Sequence, residues 1–255
     1  MNLVFLFYFF VLGLGLGSFY NVVGLRVPVS TFLKNKRSIC PNCFHSLSWY
    51  ELIPVLSFLI QRGSCRHCDQ SISRIYPFIE LFTGFFFVYS FYIFGFRPEL
   101  AVALTFVSLM SIVFVTDITY MLIPDRILFF FLPIFLFLRI LVPLEPWWSA
   151  FLGASIGLLM LASVIVISRG GMGGGDMKLV GLFGLVLGVK GVLLAFFLAC
   201  IYGTCFHGLQ WIVNKQGRKK PIPFGPYLVM GALTAYFYGE MIITWYVRTF
   251  LTFTL

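Results

Sequence analysis

Charge is what this chain has least of. Lys, Arg, Asp and Glu make up 11% of 255 residues, only nine of them acidic, against 60% hydrophobic residues and 32 Phe. With a mean hydropathy of +0.97, that scarcity excludes a soluble globular core and leaves a polytopic membrane protein. No basic residue precedes the first apolar run, Leu3 to Leu25, and a basic stretch follows it. A secretory signal peptide has the reverse order and a shorter core, so the run is expected to stay as a first span. The glycine-rich segment lacks Walker spacing and a strand–loop–helix context, which argues against phosphate binding. A net charge of +9 would suit nucleic acid. The basic residues, however, cluster in loops that fit one side of a bilayer, so no nucleic-acid partner is expected.

What is there reads as an all-α fold with about eight transmembrane helices. Apolar stretches bounded by charge, Pro or Gly fall at approximately 3–25, 78–96, 100–117, 127–143, 148–168, 178–189, 191–213 and 226–247. The sixth is short and is expected to be tilted or only partly spanning. Three regions follow: a first span at 1–25, a cysteine-rich loop at 26–77, and a membrane-embedded domain at 78–255. Placing the 26–77 loop inside leaves Arg97, Arg139, Lys190 and Arg248 at the outer ends and the other 14 of 18 basic residues inside. That distribution predicts both termini outside and the polar loop in the cytoplasm.

The polar loop carries two Cys-x-x-Cys pairs, Cys40/Cys43 and Cys65/Cys68, within a small internal repeat: Cys40 to Ser48 aligns with Cys65 to Ser73. Two such knuckles complete a four-thiolate tetrahedral shell, which suits zinc best and iron next. Disulfides do not persist in a reducing cytoplasm, and four thiolates leave no open position for catalysis. A redox pair or unligated thiols are the rival readings. His45 or His67 could replace a thiolate, but a full cysteine set makes this unnecessary. The loop has little apolar content, so a metal would supply much of its stability. Cys200 and Cys205 fall in an apolar span and read as packing residues.

Asp117 ends the third span and Asp176 precedes the sixth, so both are expected at the cytoplasmic face. A carboxylate at a membrane boundary is a functional candidate by default. Its plainer reading is a solvated loop residue beside a helix cap. Two on one side can share a proton, one staying neutral while the other draws a proton from the water that attacks a carbonyl. Gly170, Gly171, Gly173, Gly174 and Gly175 lead into Asp176, followed by Lys178. They would admit backbone conformations closed to other residues and a close approach of a substrate strand. Asp125, after Pro124, reads as the N-cap of the next span. Glu80 is a further ionisable residue inside a span, with a basic loop residue as its expected partner.

These residues sit in segments that resemble the type IV prepilin leader peptidases, membrane aspartic proteases of the Gly-x-Gly-Asp kind. The segments are Gly17–Val23, Trp49–Pro54, Arg62–Arg66, Tyr76–Glu80, Asp117 with Ile123-Pro124-Asp125, Gly173–Lys178 and Pro223–Tyr227, and they cover nearly the whole chain. The resemblance implies cleavage, at the cytoplasmic face, of a short basic leader from prepilins or pseudopilins, after a Gly and ahead of an apolar helix. It assigns catalysis to Asp117 and Asp176, with Gly173, Gly174, Gly175, Lys178 and Glu80 in support. It also implies zinc on Cys40, Cys43, Cys65 and Cys68, and methylation of the new N-terminal amine from S-adenosylmethionine. Because the inner loops are basic, the leader's Lys and Arg would need an acidic contact, for which Glu80 and Glu51 are the candidates. A cell-membrane location follows.

Two other classes compete. A proton-coupled transporter could use Asp117 and Asp176 as carriers, but such carboxylates usually lie at the midplane between repeated halves, and no repeat of the spans is present. A metal-binding scaffold would leave the aspartates and glycines unexplained.

Overall fold

A computed structural model describes residues 2–30, 32, 38–40, 42–169, 171–214 and 223–251, without the side chains of 210–214 and 251. Gly170, Pro41 and seven of the inner basic residues (Lys34, Lys36, Arg37, Lys215, Arg218, Lys219 and Lys220) lie outside them. The chain is a multi-pass, all-helical membrane protein, and its only β pairing among the described residues is two isolated bridges. It divides into two compact units, Met1–Tyr120 and Met121–Leu255.

In the first unit α1 (Leu3–Arg26) packs on α3 (Ile75–Phe94) and α4 (Glu99–Tyr120), with a short α2 (Leu56–Ile60) in the polar loop. A seam of small residues sets the spacing. A Cβ at Gly13 would stand 2.7 Å from Gly84 Cα, and one at Gly17 2.8 Å from Glu80 Cα. Lipid offers helices no hydrophobic drive to associate, so close backbone approach and buried polar pairs do that work. Tyr20 donates to Ser108 Oγ at 2.6 Å, and the Thr83 and Ser111 hydroxyls meet at 2.9 Å. At the far end Phe9 stacks on Phe91, ring centroids 4.6 Å apart.

The second unit comprises α5 (Asp125–Leu141), α6 (Ser149–Ile167), α7 (Gly174–Asn214) and α8 (Gly225–Tyr246). Helix α7 joins the two spans expected at 178–189 and 191–213. It breaks at Gly188, whose φ of 71° and ψ of −175° are open essentially to glycine alone. Two polar groups take up the freed backbone. Buried Arg139 donates to Val186 O at 2.6 Å, and Ser149 Oγ accepts from Val189 N–H at 3.2 Å. Broken helices survive at membrane depth only with such partners.

Six helices are long and apolar enough to span, among the described residues. The expected count of eight differs for two reasons. The sixth and seventh candidates are two helices that adjoin at the Gly188 break and count as one, and α5 is 17 residues long with Pro133 inside it, short of the roughly 20 a span needs.

Candidate metal centre and active-site residues

The internal repeat folds twice into the same knuckle. Cys40 N–H donates to His45 O at 3.0 Å and Phe44 N–H to Cys40 O at 3.0 Å; Cys65 N–H donates to Gln70 O and Asp69 N–H to Cys65 O at 2.9 and 3.0 Å. Bridges Ile39–Ser46 and Ser64–Ser71 close the two turns. Each knuckle needs one residue at positive φ, Phe44 (56°) and Asp69 (53°). The turns aim four thiols at one point.

All four sulfurs lie within 4.8 Å of one another, with Cys40 to Cys68 at 3.8 Å and Cys43 to Cys65 at 4.0 Å. A tetrahedral ion with arms of about 2.3 Å separates its sulfurs by about 3.8 Å, so the residues fit one metal ion. Hydrogen bonds from the Cys43 and Asn42 backbone pull the Cys40 thiol down to about 6, which readies a thiolate ligand at neutral pH. Cys43 receives a lowering bond from His45, yet desolvation and the neighbouring thiols push it up to about 11. His45 and His67 are outside the cluster; their rings lie against each other, centroids 3.7 Å apart.

Asp117 is buried, 5% exposed, in the last turn of α4. Asp176 lies in the first turn of α7, where free backbone N–H groups suit an acidic side chain. Its N–H donates to Gly173 O at 3.1 Å. Gly174 and Gly175 are helical rather than part of the expected loop. Gly175 lets Ile123 approach closely: a Cβ there would lie 3.0 Å from Ile123 O. Lys178 Nζ lies 2.6 Å from Asp125 Oδ2. Pro124, and not Asp125, is the N-cap of α5, so the carboxylate expected to cap a helix instead ties the Asp125 corner to the first turns of α7. Cys200 is half-buried, but Cys205 is exposed and is no core residue.

A cavity of about 390 Å³ opens in the first unit, lined by residues of α1, the polar loop and the start of α3. Glu51 and Glu80, each 7% exposed, both line it. Glu51 accepts from Ser48 N–H at 2.8 Å and Glu80 from Val55 N–H at 2.7 Å. The Ser18 hydroxyl also bonds Glu80. Glu80 thus holds loop backbone. Asn21, beside lining residue Val22, donates to Tyr76 O at 3.2 Å and keeps a buried Oδ1 without a partner. Sequence reasoning missed this cavity although it had quoted the contributing segments, because nothing in four separate stretches tells that they converge.

Comparison with known proteins decides the family. The Bacterial Peptidase A24 N-terminal domain matches residues 11–94 and the Type IV leader peptidase family matches residues 104–208. A Bacillus subtilis protein named prepilin leader peptidase/N-methyltransferase is 44% identical, over 94% of this chain and 96% of its own.

The chain belongs to the type IV leader peptidase family.

Similarly named proteins of Aeromonas salmonicida (33% identical, 98% of this chain and 94% of theirs) and Vibrio cholerae (32%, 93% and 98%) extend the likeness. No solved structure matches the chain. As a member of this family the chain is an enzyme, a membrane peptidase whose relatives carry both activities in their name.

Proposed function

We propose that this enzyme removes the basic leader peptide from type IV prepilins or pseudopilins at the cytoplasmic face of the cell membrane, and then methylates the new N-terminal amine. The likeness to the Bacillus relative along nearly the full length of both chains carries this reading. Asp117 and Asp176 serve as the catalytic carboxylates. One holds a proton for the scissile carbonyl, and the other takes a proton from the attacking water. The pair titrates as a unit, so neither role is assigned to one residue.

Gly173, Gly174 and Gly175 give the substrate strand access beside Asp176, and Lys178 holds the Asp125 corner. The apolar helix behind the scissile bond stays in the bilayer and sets the register. Zinc on Cys40, Cys43, Cys65 and Cys68 is structural: the shell is full, and the chemistry the metal supplies is cross-linking the loop. S-adenosylmethionine, when bound, supplies the methyl group. Anionic lipids at the inner leaflet concentrate the basic leader.

Incubating the purified enzyme with S-adenosylmethionine and a prepilin whose leader ends in Gly, followed by Phe, tests the proposal by mass spectrometry. Loss of the leader and a gain of one methyl on the new N-terminus are expected. An uncleaved substrate in the presence of active-site aspartates and metal would overturn it.

A further inference from the structure

Between the two metal knuckles the polar loop carries a stretch whose polarity is inverted. In the 3₁₀ turn Trp49–Leu52, the linker after it and helix α2, the side chains of Trp49, Leu52, Ile53, Leu56, Leu59 and Ile60 are exposed, Trp49 by 78% and Ile60 by 69%. Glu51 and Ser57 of the same stretch, and Gln61 just after it, line the cavity instead. A loop in water does the reverse, since burying polar groups while wetting apolar ones is costly on both counts. A contiguous exposed apolar face marks contact with protein or membrane.

Two bonds set the depth of this face. Val55 N–H, directly before α2, donates to Glu80 at 2.7 Å, and the Ser18 hydroxyl bonds the same carboxylate. Helices α1 and α3 run antiparallel, with Gly13 against Gly84, Gly17 against Glu80, and Asn21 bonded to Tyr76 O. Glu80 lies six residues past Arg74, the N-cap of α3, and Ser18 eight residues before Arg26 at the adjoining end of α1. At about 1.5 Å per residue these positions are about 9 Å and about 12 Å inward of the helix ends. The Glu80 side chain leans back toward its helix N-terminus, but the short Ser18 keeps the carboxylate from reaching the surface. Interfacial segments bury their apolar face about 5–10 Å into the headgroup and acyl boundary, and the loop is tied at that depth.

The neighbouring side chains suit the same level. Trp and Tyr are enriched where hydrocarbon meets headgroups, and Trp49 and Tyr50 open the stretch. Exposed Arg62, Arg66 and Arg74 follow it, with Arg66 5.5 Å from the centre of the Tyr50 ring; a guanidinium matches lipid phosphate. Phe19 and Phe78, next to Ser18 and Glu80 along their helices, are also exposed, so both spans present apolar side chains outward at this depth.

We propose that Trp49–Ile60 is an interfacial anchor, seated in the headgroup–acyl boundary on the side of the bilayer that carries the polar loop, with Leu56, Leu59 and Ile60 against phospholipid chains. This goes beyond the peptidase and methyl-transfer reading and does not rest on it. The anchor pins both knuckles, which flank it at Cys43 and Cys65, to the membrane surface. A second copy of the chain or another protein fits the face less well, because it would have to displace lipid from a face already tied at lipid depth.

The full-length enzyme in nanodiscs holding one copy each tests this. The nanodiscs contain phosphatidylcholine and phosphatidylglycerol, with a photoactivatable group on the acyl chains. Peptide mapping should find label on 49–60 as well as on α1 and α3. The triple variant Leu56→Gln, Leu59→Gln, Ile60→Gln should lose most of the loop label and keep that on α1. Label on α1 and α3 with none on 49–60 of the wild type would overturn the proposal. Should the variant fail to fold, hydroxyl-radical footprinting of the wild type in the same nanodiscs decides. Trp49, Leu59 and Ile60 should be protected, and with one copy per disc that protection cannot come from a second chain. Oxidation of all three would place the face in water, as a docking site for protein, and overturn the anchor. Neither readout involves leader cleavage, so its outcome leaves the peptidase reading untouched.

Discussion

Lys178 and Asp125 meet at 2.6 Å although they are 53 residues apart, and both are well exposed, at 42% and 51%. An exposed pair of this kind contributes about 0–1 kcal/mol, so its value is positional. It ties the Ile123–Asp125 corner to the segment where Asp176 enters α7. Asp125→Asn should therefore keep substantial cleavage activity and shift thermal unfolding little. Complete loss of cleavage in Asp125→Asn, with a normal melt, would move the catalytic partner to Asp125.

Asp117→Asn and Asp176→Asn should each abolish leader removal while the protein still reaches the membrane. Asn keeps the shape but cannot exchange a proton with water, and general acid–base catalysis is worth about 10²–10⁴-fold. Both substitutions remove a member of one proton-sharing pair, so the double variant should be no worse than either single one. Normal cleavage by either single variant ends the carboxylate-pair reading.

The purified enzyme should carry about one zinc per chain. Replacing Cys40 and Cys65 together with Ser should strip it and open the polar loop to protease. Protons compete with metal for thiolates. Binding should therefore persist at neutral pH and weaken as pH falls. Elemental analysis across a pH series reads this directly, and metal-free protein with four alkylated thiols at neutral pH would overturn it.

The break in α7 gives a stability prediction free of any functional assumption. Arg139→Leu leaves Val186 O without its 2.6 Å partner, and an unsatisfied buried acceptor costs about 1–3 kcal/mol. Gly17→Val should cost a similar amount, since its Cβ would stand 2.8 Å from Glu80 Cα. Thermal melts in nanodiscs measure both. A wild-type melt for Arg139→Leu would mean that the break is repaired by other groups.

Leader charge should act on binding more than on chemistry. Replacing the leader's Lys and Arg should raise KM more than it lowers kcat, because those contacts form in ground and transition states alike. Unchanged kinetics on a neutral leader would remove charge from substrate recognition.

The sequence by itself determined the membrane class, the helical content and the metal knuckles. Long apolar runs leave a chain in lipid no alternative to helices, and two Cys-x-x-Cys pairs in a repeated nonapeptide specify a shared local turn. Asp117 and Asp176 stand out in the sequence as charges where charge is expensive, and their pairing is the proposal tested above. Tertiary structure alone decided the rest. It set the two expected stretches end to end across a break at Gly188, where Arg139 and Ser149, distant in sequence, satisfy the opened backbone. It moved Asp125 from helix cap to partner of Lys178. It also brought Ser18, Glu51, Phe58 and Glu80 to one cavity. Each of these depends on which distant groups meet, and periodicity along a chain carries no record of that.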